Sequence, residues 1–151
     1  MGYFAIDYET YYDGDGCSIT GGLDNYLEHP DFDAYMVSVA SGDRGVYVGH
    51  PTGIPWADFK GEVALSHNRS FDEGVHTHLL ATGALPPEAG EFGGWHCTAD
   101  MSAYSGLPRS LKMAVGEGLG KRMDKDVRDK MKGRRYGDLP EDDRKALITL
   151  L

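Results

Sequence analysis

Basic residues are nearly missing from the first 120 positions, where five lysines and arginines stand against 17 carboxylates, a charge of −12. Taken alone, that balance argues against a nucleic-acid partner, because a phosphate backbone is held by Lys and Arg. Cysteine is scarce too. Cys17 and Cys97 are far apart and show no metal-ligand spacing, so a reduced, cytoplasmic protein is the expectation. No apolar run approaches the ~18 residues of a membrane helix, and no membrane partner is expected. With Met1 leading straight into an apolar strand pattern, no signal peptide is expected either. Histidine disappears after His96.

What is present is ordinary in amount and uneven in placement. The 151 residues, 40% hydrophobic and 26% charged, suit one soluble domain with a single core. Eight basic residues crowd into 121–135: Lys121, Arg122, Lys125, Arg128, Lys130, Lys132, Arg134 and Arg135. Three aspartates accompany them, leaving this stretch at +5 in a chain of net charge −9. Such a block can hold a phosphate backbone while carboxylates elsewhere hold metal. The alternative is a solvated loop.

The strongest local pattern is Tyr3-Phe4-Ala5-Ile6-Asp7-Tyr8-Glu9-Thr10, an aromatic and Ile-rich strand closed by the turn-forming Asp13-Gly14-Asp15-Gly16. Asp7 and Glu9 are two apart and share one face of that strand. Side by side they repel, unless a hard cation such as Mg²⁺ or Mn²⁺ lies between them. Solvation of both at the end of a strand is the competing account.

Further along, Leu23 to His29 reads as a short helix, and 34–40 with 44–48 as a β-hairpin. Residues 62–66 read as a strand, 71–81 as a helix with Phe71, Val75 and Leu79 on one face, and 95–98 as a strand. The two strands around that helix should run parallel through a right-handed crossover. Helices are expected at 99–104, at 110–119 with Leu111, Val115 and Leu119 on one side, and from Pro140 onward. The whole is an α/β (α+β) domain over residues 1–151, with a mixed central sheet carrying an antiparallel hairpin and flanked by helices.

His67-Asn68-x-x-Phe71-Asp72 follows the 62–66 strand directly, at a strand end where open α/β sheets place ligands. Ser70-x-x-Glu73 fits a capping box. That explains Ser70 and Glu73 but not His67-Asn68. With Ile6-Asp7-Tyr8-Glu9-Thr10, the segment resembles the first two motifs of the DEDD-type 3′–5′ exonucleases, which have the ribonuclease-H-like fold. The region from Thr98 to Leu119, with Ser105-Gly106-Leu107-Pro108-x-Ser110-Leu111, is similar to exonuclease domains of phage and bacterial family A DNA polymerases, and Lys125-Asp126 continues the similarity.

The resemblance implies Asp7, Glu9 and Asp72 as metal-binding, catalytic carboxylates around two Mg²⁺ or Mn²⁺ ions. It implies contacts to a single-stranded DNA 3′ end from Thr10, Asn68, Lys121, Arg122, Lys125, Lys130, Lys132, Arg134 and Arg135. A polymerase domain or a missing C-terminal portion is then the expected partner. One element departs from the pattern. The family's late Tyr-x-x-x-Asp or His-x-x-x-Asp is absent, since Tyr136 has Pro140 four residues on and no histidine follows His96. The expectation is a domain incomplete at its C-terminus, weak or inactive by itself. A DNA-binding remnant that does not cleave is the alternative, and a zinc site from His76, His78, His96 and Cys97 is a third reading.

Overall fold

A computed structural model describes residues 2–122 and 130–150, the last five of them as backbone only. Five strands, β1 (Tyr3–Thr10), β2 (Ala34–Ser41), β3 (Gly45–Gly49), β4 (Val63–Ser66) and β5 (Gly94–Cys97), form one open sheet ordered β3-β2-β1-β4-β5. β2 pairs antiparallel with β1 and β3, whereas β4 pairs parallel with β1 and β5. The described helices are α1 (Leu23–Leu27), α2 (Arg69–Ala81), α3 (Thr98–Tyr104), α4 (Leu111–Leu119) and α5 (Glu141–Leu150). None is long and apolar enough to cross a membrane. The hairpin and the parallel pair around α2 follow the expected course, each within a residue or two of the predicted limits.

Alternation along β1 sets the layers. Phe4, Ile6 and Tyr8 are buried on one face, and their cross-strand partners Val39 and Val37 project the same way. Val75 from α2, with Trp56 and Phe59 from a short 3₁₀ turn, completes this core. Phe71 and Leu79 pack against it as their spacing of four requires. Two close approaches demand glycine. A Cβ on Gly74 would stand 2.6 Å from Leu23 Cδ2, where α1 crosses α2. On Gly93 it would stand 2.4 Å from the Gly61 carbonyl oxygen, backbone that cannot yield.

Two local expectations fail. The Ser70–Glu73 capping box does not form: α2 begins at Arg69 with Asn68 as its N-cap, and Glu73 instead takes Arg69 Nε at 2.5 Å. Along α4 the predicted Leu111–Val115–Leu119 stripe is not the buried one. Ala114 turns inward and Leu119 is 67% exposed, so this helix adds little to the core.

Candidate metal and nucleic-acid site

β4 stops at Ser66 while β1 runs on to Thr10, and their pairing covers Tyr3 to Ala5 of β1. The β1 edge beyond that point needs another acceptor, because a buried backbone N–H left unpaired is costly. Asp72, in the first turn of α2, supplies it: Tyr8 N–H donates to Asp72 Oδ1 at 2.9 Å. The Ser66 hydroxyl donates to Asp72 Oδ2 and accepts the Asn68 N–H at 3.3 Å. Residues 64 positions apart are thereby joined at the C-terminal end of the central strand. Asp72 is 3% exposed and Glu9 6%, while Asp7 is half-buried beside Ser38 of β2.

The register shifts between Glu9 and Thr10, a bulge that re-aims the end of the strand. Thr10 bonds Tyr26 Oη at 2.7 Å. The Tyr26 hydroxyl donates to the Tyr11 carbonyl, so it is Thr10 that donates to Tyr26. Burial pushes the Tyr26 phenol up to about 12, keeping it a neutral donor. Beneath the sheet, His76 Nε2 lies 2.7 Å from the Ala89 carbonyl and Nδ1 2.7 Å from Tyr8 Oη. A carbonyl only accepts, so Nε2 carries the proton and Tyr8 donates to Nδ1. Burial lowers the His76 pKa and raises that of Tyr8.

In kind, the carboxylates are what a hard divalent cation takes. In number they fall short. Among the described residues no three His, Cys, Asp or Glu side chains stand together in a way that could hold a metal ion, whether Asp7, Glu9 and Asp72 or the histidines of the zinc reading. Asp7 and Glu9, with Asp72 fastened beside them, are the residues that would hold Mg²⁺ or Mn²⁺.

The basic segment divides. Lys125 and Arg128 lie outside the described residues. Lys121 and Arg122 are exposed at the end of the α4 region. From Lys130 onward the chain docks on the sheet: Met131 is 1% exposed and packs with Tyr35, Met36 and Leu139. Gly133 N–H donates to the Tyr12 carbonyl at 2.7 Å. Arg135 stacks on the Tyr11 ring at 4.6 Å and pairs with Asp33 at 2.8 Å. Lys130 reaches Asp143 at 3.5 Å. A purely solvated loop is thus wrong for residues 130–135, and Arg135 is a structural clamp. Lys132 and Arg134 are exposed, and Lys132 lines an open cleft of about 660 Å³ with Tyr12, Asp13 and Ser18, in the loop that leaves β1. Asn68 is exposed at the head of α2.

No family model matches this chain, and no curated protein does. Sequence reasoning did not find Ser66 or the Tyr8 N–H. A serine closing an apolar strand carries no periodic signal, and a backbone donor carries none at all.

Proposed function

We propose that this chain is a 3′–5′ exonuclease-type domain of the DEDD class, ribonuclease-H-like in fold, directed at single-stranded DNA 3′ ends and belonging to a DNA polymerase. The observation that supports it best is the convergence of Asp72 on β1 at Tyr8, between Asp7 and Glu9 in sequence. A mixed sheet with an antiparallel hairpin and flanking helices agrees with that reading. Mg²⁺ or Mn²⁺ would supply an activated water and charge neutralisation at the scissile phosphate. Asp7 and Glu9 bind it through hard oxygens, and Asp72 stays fixed beside them by its two donors. Lys132 and Arg134, on a segment anchored by Met131 and Arg135, offer charge to the phosphates of the incoming strand.

The lack of a late Tyr-x-x-x-Asp or His-x-x-x-Asp removes one ligand and the group that handles the attacking water. Loss of general-base help alone is worth roughly 10²–10⁴-fold. Mn²⁺ therefore binds weakly, and the chain alone releases no more nucleotide from a 3′-labelled single strand in Mg²⁺ than Asp7→Ala does. Titration calorimetry supplies the direct test, since equal Mn²⁺ heats for the parent and Asp7→Ala would sink the proposal. The second reading, a DNA-binding remnant that does not cleave, draws on the incomplete ligand set. DNA binding with no response to Mn²⁺ would favour it.

A further inference from the structure

We infer that Ser66 is a positioning residue for the carboxylate site, acting through Asp72. The inference rests on the metal-binding reading given above. Ser66 is the last residue of β4 and 1% exposed. Its hydroxyl has a single proton, and that proton goes to Asp72 Oδ2. One of its lone pairs takes the Asn68 N–H at 3.3 Å. The hydroxyl is thus held from both sides and cannot rotate without losing one bond or the other.

Asp72 is held with equal economy. Oδ1 takes the Tyr8 N–H at 2.9 Å and Oδ2 takes Ser66, which sets both the position and the plane of the carboxylate. The anchors come from different strands, β1 and β4, so the carboxylate is registered against the sheet itself and not only against its own helix. Asn68 at the N-cap has no side-chain bond to the helix. The turn from β4 into α2 is therefore fastened through Ser66. Each carboxylate oxygen has two lone-pair directions, so a donor on one does not bar a cation from the other. Partners of this sort orient metal ligands in other proteins, and losing one costs roughly 10–100-fold in metal affinity.

The test measures Mn²⁺ affinity by electron paramagnetic resonance on the whole chain, alongside thermal melts. Ser66→Ala should weaken Mn²⁺ binding roughly tenfold or more, and Ser66→Thr, which keeps the hydroxyl, should restore most of it. Leu85→Ala serves as the control for stability. Leu85 is buried in the core beyond α2, so its loss should lower the melting temperature and leave Mn²⁺ affinity unchanged. Affinity that falls with melting temperature in all three variants would overturn the positioning role, as would unchanged affinity in Ser66→Ala. If the parent and Asp7→Ala both fail to bind Mn²⁺, the metal reading fails and this inference with it. Loss in Asp7→Ala beside full binding in Ser66→Ala overturns this inference alone.

Discussion

The two faces of β1 divide the work of one strand. Phe4, Ile6 and Tyr8 point into a core of interlocking rings, with Phe4 4.7 Å from Phe59 and 4.9 Å from Phe92 between centroids. On the opposite face Tyr3 is 55% exposed, Ala5 is exposed, Asp7 is half-buried and Glu9 is buried. Alternation of period two thus separates stability from chemistry with no residue between them. Changes on the core face should unfold the chain, whereas changes on the other face should alter binding and spare the fold.

The largest effect expected is from Phe4→Ala, about 3–5 kcal/mol of stability for a buried ring, measured by urea denaturation. Ala5→Lys, one position along and on the open face, should stay within about 0.5 kcal/mol. Equal losses would break the division between the faces. Asp7→Ala sharpens it, since Mn²⁺ affinity should fall at least tenfold while the melting temperature holds.

A pH series examines the core face from another side. Burial depresses the His76 pKa in the folded state, so the unfolded chain binds the extra proton more readily. The stabilisation is complete above the unfolded value of about 6.5 and is lost as pH falls from there through the folded value. Urea midpoints should decline across that window, and His76→Gln should flatten the decline.

The smallest effects belong to the docked basic segment. Arg135→Gln loses a cation–π stack and a surface ion pair, together about 1 kcal/mol. Lys132→Gln and Arg134→Gln should leave stability unchanged. Each should flatten the salt dependence of single-stranded DNA binding by roughly 0.7 in log–log slope for every phosphate no longer neutralised. An unchanged slope would leave these two side chains with no part in DNA binding.

The strands were legible because period-two patterns such as Phe4-Ile6-Tyr8 state their own burial. So was α2, through Phe71, Val75 and Leu79. Helix ends were less so, since Ser70-x-x-Glu73 carried a start signal that Arg69 overrode by pairing with Glu73. α4 misled because Leu111, Val115 and Leu119 share a face whichever way the helix turns, and only the tertiary setting selects Ala114 as the inward residue. Within the site, the carboxylates were evident and their fastening was not. Ser66 and the Tyr8 N–H acquire their roles from β4 being shorter than β1, a fact about two strands far apart in sequence.

That parallel pairing also bears on the order in which the chain can fold. β1 is the middle strand, and β2 and β3 follow it by antiparallel pairing, so these three can close through short connections. The other edge of β1 waits for β4, whose first partner in register, Tyr3 with Val63, closes a loop many times longer than a hairpin turn. Loop closure of that length is slow relative to hairpin formation. The meander is thus expected to gain amide-exchange protection first in refolding, with the Tyr8 amide, which is protected only once α2 brings Asp72 to it, among the last in the sheet to be shielded.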